Sequence, residues 1–283
     1  MISKAQEEYI LRQAYVPEHI PSLMVGVSKG EPYLIGDYVI FIKDDWLIFV
    51  GYPLNRDCRP EFFATTLQET IKKFNPTYTW FVAPEIPDSI LPSARQREGD
   101  EYYKLEMGNH DVKKGLMRIV KKAAEALTIE KSRQFSEEHV DLTRDFLEKE
   151  SPPPRIKELF LQMTEYVPYS KTSFVLNARD QQKKLSAYYI IELGAEEFAT
   201  YVVGCFSRKN YVAHASDLLF YEMTKLAEEY HKAYIHLGLG VNEGIRRFKK
   251  KWGGFPFLKY ESGELVSATR GPLSWMKALE TRL

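Results

Sequence analysis

The sequence predicts an α/β protein of two successive units, each a mixed, mainly antiparallel sheet flanked by helices. Three observations carry this expectation. The second half reads in order as helix, helix, three strands, helix, strand, helix, strand. The first half repeats much of that order, and the step from helix start to next strand start is 18 residues in both halves, 60 to 78 and 216 to 234. The composition agrees, since 44% hydrophobic and 13% aromatic residues over 283 positions supply a packed core.

Met1–Tyr15 is charged and amphipathic and lacks the unbroken apolar run of a secretory signal. Asp37–Lys43 and Trp46–Gly51 are rich in β-branched and aromatic residues and face each other across Asp44-Asp45, the pattern of a hairpin. A helix over 60–74, a strand over 78–83, a short helix near 87–91 and a strand over 102–106 complete the first half. A helix over 136–150 stops at Ser151-Pro152-Pro153-Pro154, because proline can neither donate to nor continue a helix. Helical periodicity resumes over 155–167 with Ile156, Leu159, Phe160 and Met163 on one face. Strands follow over 172–177, 185–193 and 198–206, with Leu193-Gly194-Ala195 as a hairpin corner. Ser216-Asp217 is read as the cap of a helix running to about 231, whose apolar face carries Leu218, Leu219, Met223, Leu226 and Ala227. A buried strand over 234–239, a helix over 243–252 and a strand over 255–260 end the pattern. The unit border is placed at 133/134, with 1–133 a degenerate copy and 134–283 carrying the site.

Charge and cysteines narrow the function classes. Lys+Arg and Asp+Glu are equal at 39 each, so no global field draws the chain to duplex DNA. No run has the length of a membrane span, and a cytoplasmic protein is the expectation. Cys58 and Cys205 form no metal or disulfide framework, and the six histidines show no ligand spacing, so no metal is expected.

The segment HLGLGVNEGIRRFKKKWGG, 236–254, carries the chemistry that can be read. As a dinucleotide loop its glycine spacing is wrong, and the chain that follows is too short for a doubly wound sheet. As a nucleic-acid patch, Arg246, Arg247, Lys249, Lys250 and Lys251 lie on the polar face of a helix that turns Ile245, Phe248 and Trp252 inward. The glycines instead let a strand turn sharply into a helix capped by Asn242. Asn242 and Gly253, eleven residues apart, match the spacing across the last helix of the GNAT acyltransferase superfamily, and the element order over 136–260 resembles that fold. FKKKWGG is similar to the ending of this helix in the FemAB-like aminoacyltransferases, and the phosphatidylglycerol lysyltransferase region has a related tandem architecture.

The resemblance implies transfer of an acyl or aminoacyl group from acyl-CoA or an aminoacyl-tRNA to an amine. Arg208, Tyr211 and Ala213 fall on the superfamily's donor-binding loop, with Tyr211 in place of a glycine, and Ser216 stands at the start of the helix that follows. Lys249 falls where the frequent catalytic tyrosine stands, as a charge beside the donor or as one solvated cation among five. His236 is a core histidine or a base, and His214 is its rival. Gly204 near the end of the third strand permits the splaying that frees backbone donors in this fold. Tyr166, Tyr169, Tyr188 and Tyr189 are groove or core aromatics. These departures from the superfamily's pattern keep a second class open, a non-catalytic ligand-binding descendant of the fold.

Overall fold

The computed structural model describes residues 1–108, 112–152 and 154–267. The chain begins with α1 (Lys4–Gln13), whose capping box pairs Ser3 with Gln6, and α2 (Pro21–Ser28). Then come β1 (Glu31–Ile35), β2 (Tyr38–Lys43), β3 (Trp46–Val50), α3 (Pro60–Phe74), β4 (Tyr78–Ala83) and β5 (Arg95–Glu106). A 3-10 turn at Leu91–Ser93 stands where a short helix near 87–91 is expected from the sequence. The next elements are α4 (Lys114–Ala126), β6 (Thr128–Ser132), α5 (Glu137–Glu150), α6 (Pro154–Leu161) and α7 (Met163–Tyr169). They are followed by β7 (Ser173–Arg179), β8 (Leu185–Glu192), β9 (Phe198–Phe206), α8 (Ala215–Glu229), β10 (Tyr234–Leu239), α9 (Glu243–Lys251) and β11 (Phe255–Val266).

Two compact units divide the chain at 102/103 and again at 256/257, so β5 and β11 each begin in one unit and end in the other. This differs from the border at 133/134 expected from the sequence. The reason is physical: Leu116, Val120 and Ala123 of α4 share a core with Leu219 and Met223 of α8, and β6 pairs with β7. Those contacts draw 103–133 into the second unit, and 257–267 returns to the first.

In the first unit β1, β2 and β3 form an antiparallel meander, β4 lies parallel to β3, and β11 runs antiparallel to β4. The crossover helix α3 buries Phe63, Ala64 and Leu67 against Phe49 and Phe81. In the second unit β6, β7, β8 and β9 are antiparallel in sequence order and β10 pairs parallel with β9. The helix α8 is the crossover between them, and its Leu218, Leu219, Met223, Leu226 and Ala227 are buried as the periodicity predicts. Its start differs from the sequence reading. His214 is the N-cap residue, with φ of 66°, and Asp217 is turned inward to Trp252 and Lys251 instead of capping.

Candidate active site

The site is built on a parallel pair that comes apart. Pairing of β9 with β10 runs over Phe198↔Tyr234, Ala199↔Ile235 and Thr200↔His236 and then stops, although β9 continues to Phe206 and β10 to Leu239. On the other side of β9 the register against β8 shifts at the same level, from Ile191↔Tyr201 to Ile190↔Val203. The extra residue, Val202, is a bulge, and a bulge bends and twists the strand that carries it. Gly204 is not the source of this distortion. It pairs in register with Tyr189, and a Cβ there would lie 2.5 Å from the Tyr189 ring and 2.6 Å from the Tyr201 hydroxyl. The glycine makes room for those two rings, which meet edge to face at 4.9 Å.

Because β9 and β10 are parallel, their C-terminal ends and the starts of α8 and α9 open at one edge of the sheet. Gly238 closes β10 with φ of 71°, a conformation that favours glycine. Val241 follows at φ of 58°, an outlier for a β-branched residue. The Asn242 side chain then accepts the Ile245 N–H at 3.0 Å and caps α9, as expected from the sequence.

Lys249 is neither solvated nor aimed at the mouth of the opening. It is 5% exposed, and its ammonium donates to the carbonyls of Gly238 and Leu239, pinning α9 to the end of β10. Helical side chains lean toward the N-terminus of their own helix, which is how position 249 reaches back to 238 and 239. His236, fully buried, occupies the last paired position, its Nδ1 accepting the Gly238 N–H at 3.2 Å and its ring 5.6 Å from that of Phe198. It thus marks the apex of the opening.

On the β9–α8 loop the side chains separate. Arg208 pairs with Glu150 and lies over the Phe206 ring, and Lys209 pairs with Asp145, so both cations turn toward α5. Tyr211 is 62% exposed, Ala213 is exposed, and the Ser216 carbonyl accepts the Tyr189 hydroxyl at 3.2 Å. His214 is partly exposed and its Nδ1 lies 3.4 Å from the buried Asp217 carboxylate. Asp217 also accepts the Trp252 indole N–H at 3.0 Å and pairs with Lys251 at 2.5 Å. Asn242, His214, Ser216, Tyr211 and Ala213 therefore belong to the loops and helix starts at the open edge, whereas Lys249 and His236 form its floor.

Two groups were not singled out from the sequence. One is Asp217 with Trp252, a link across 35 residues that no local pattern announces. The other is Glu192, fully buried, which accepts the hydroxyls of Tyr166 and Ser170 and the Gly194 N–H, fastening α7 to the sheet. An acid ending the apolar run LSAYYIIE was the available signal. Of the four tyrosines, Tyr166, Tyr188 and Tyr189 are buried and Tyr169 is exposed. Burial pushes the Cys205 thiol up to about 12 and raises Tyr188 and Tyr189 further, so none of these is an acid-base group near neutrality. Among the described residues no group of three or more His, Cys, Asp or Glu is placed to hold a metal ion, and no helix is long and apolar enough to cross a membrane.

No family model and no curated protein matches the chain. Solved structures do. The C-terminal domain of a protein assigned as a lysylphosphatidylglycerol synthetase from Agrobacterium fabrum matches at 15% identity with a TM-score of 0.60, over 99% of this chain and 96% of that one. FemX matches at 10% identity and a TM-score of 0.64, over 94% and 96%. A tandem GNAT protein from the clavulanic acid biosynthesis pathway matches at 11% and 0.55, over 96% and 97%. At these identities the likeness is one of fold. The chain has a GNAT-like fold of the kind seen in FemX and the lysylphosphatidylglycerol synthetase domain.

Proposed function

We propose that the chain is an N-acyltransferase that moves an acyl or aminoacyl group from a thioester or aminoacyl-tRNA donor to an amine, with its site in the second unit. The observation that carries this reading is the parting of β9 from β10 beyond Thr200 and His236, beneath the starts of two helices. Acyl transfer needs donors aimed at the oxygen where negative charge develops, and strand amides released from pairing together with two helix N-termini supply them. Lys249 and His236 set the shape of the opening, and Tyr211, Ala213, Ser216 and Asn242 form the rim that meets the donor. Arg208 joins that rim only by leaving Glu150. The first unit is a degenerate copy without a site of its own, and the protein works in the cytoplasm.

Between the two donor classes the rim favours an aminoacyl ester. Pyrophosphate of a CoA needs close backbone approach at the α8 start, and there the bulky Tyr211 stands on the loop while Asp217 fills the first turn. A thermal-shift titration tests this. An aminoacyl-tRNA analogue is expected to raise the melting temperature with steep salt dependence, and acetyl-CoA and longer acyl-CoAs to leave it unmoved. The reverse result assigns a CoA donor, and no shift with any of them sinks the transferase reading. A shift without amide formation supports the non-catalytic alternative, which the engagement of Lys249 by strand carbonyls favours.

A further inference from the structure

We infer that His214 is the general base of the transfer, oriented by Asp217 as a positioning residue; this assignment rests on the transferase reading above. As the N-cap residue of α8, His214 makes no capping hydrogen bond with its side chain, and its backbone sits at φ of 66°, a left-handed conformation that histidine enters more readily than most residues with a side chain. Its imidazole is 41% exposed, at the edge where β9 and β10 part. Beneath it lies a carboxylate only 7% exposed. The two Asp217 oxygens divide their work. Oδ1 accepts the Trp252 indole N–H and the Lys251 ammonium from the end of α9, and Oδ2 faces His214 Nδ1 at 3.4 Å. A carboxylate fixed from the far side, 3.4 Å from Nδ1, favours the tautomer that carries the proton on Nδ1, which leaves a lone pair on Nε2. A base oriented by a buried acid, itself held by a third group, is the arrangement that acyl-transfer chemistry uses.

The step balances without a further reagent. Nε2 takes one proton from a neutral amine as its nitrogen bonds to the donor's carbonyl carbon. The carbon–oxygen bond of the ester, or the carbon–sulfur bond of a thioester, then breaks, and the leaving atom takes the proton back from Nε2. The products are an amide and a free hydroxyl or thiol, and His214 returns to its starting form.

The test uses the full chain and two readouts. In long-range proton–nitrogen NMR of the histidine-labelled protein, with His214→Gln identifying the signal by its loss, His214 is expected as the Nδ1–H tautomer. In Asp217→Asn, which keeps an acceptor for the Trp252 indole, that preference is expected to be lost. With p-nitrophenyl acetate as acyl donor and n-butylamine as acceptor, His214→Gln is expected to slow amide formation on the order of 100-fold without moving the melting temperature. Asp217→Asn should fall between the two, through kcat and not KM. An Nε2–H tautomer in the unaltered protein, or equal rates in it and His214→Gln, overturns the assignment. The transferase reading fails separately: no thermal shift with any donor sinks it and the base with it, whereas a shift together with equal rates of amide formation in the unaltered protein and His214→Gln overturns the base alone.

Discussion

The two units contain the same local device, a strand, a 15-residue crossover helix and a second strand parallel to the first, and they finish it oppositely. In the first unit β3 and β4 stay paired from Trp46↔Tyr78 to Val50↔Val82, and the Gly51 N–H then donates to the Val82 carbonyl at 2.6 Å. In the second the pair parts after three registers. Each has a glycine near the end of its first strand, and the two glycines answer to different neighbours. A Cβ on Gly51 would lie 2.6 Å from the Val82 carbonyl oxygen and 2.4 Å from the Phe63 ring, so the missing side chain is what lets two backbones close. The three atoms nearest a Cβ on Gly204 all belong to tyrosine side chains. A cleft in this fold is therefore not a property of the topology. It depends on whether the strand end is zipped through a glycine or bent through a bulge.

Exchanging these glycines for alanine is the strongest way to break that comparison. Gly51→Ala pushes on backbone that cannot rotate away and is expected to cost about 3 kcal/mol, at the upper end of overpacking penalties. Gly204→Ala pushes on rings that can swing and is expected to cost about 1 kcal/mol. Urea denaturation of the two variants measures both, and equal costs would show that the closed pair has no special need of its glycine.

Acid should weaken the closed unit by a comparable amount. His19 is fully buried there between the Tyr52 carbonyl and the Tyr15 N–H, and burial chiefly lowers it to about 4 from an ordinary 6.5. The unfolded chain then binds the extra proton, so stability is intact above about 6.5 and falls as pH drops toward 4, by about 3 kcal/mol at the end of that window. His19→Gln should flatten this loss. If urea midpoints between pH 7 and pH 4.5 fall equally in both proteins, the buried imidazole is not the cause.

The device itself was legible in the sequence. The hairpin of β2 and β3, the whole of α3 and β4, and the α8 face follow from alternation and helical spacing, and Asn242 as a cap follows from residue type. The border between units was not, because it depends on long-range packing of α4 onto α8 and on the return of β11, which leave no local mark. The strands β5 and β11 extend well past the apolar stretches at 102–106 and 255–260, since the polar segments RQREGDE and ESGELV join the sheet through backbone pairing. In the site, position 249 was legible and its direction was not. Helical side chains tilt toward the N-terminus, but all five cations of the helix share that tilt, and only the placement of α9 beside β10 singles out Lys249.

Smaller changes sharpen the comparison at the open pair. Lys249→Met keeps the aliphatic stem and removes the ammonium from two carbonyls, with an expected loss of about 2 kcal/mol, typical of hydrogen bonds to a charged group. Asn242→Ala deletes only the cap at the start of the same helix and should cost about 1 kcal/mol, whereas Asn242→Gly should cost a few tenths. The two sites load opposite ends of α9, so their effects separate function from stability. If the opening is held by the end of β10, Lys249→Met should weaken donor-dependent thermal shifts by more than its stability loss explains, while Asn242→Ala should weaken them no more than the lost cap and one lost rim contact explain. Parallel losses in both would mean that α9 acts as one rigid piece and that Lys249 has no separate hold on the opening.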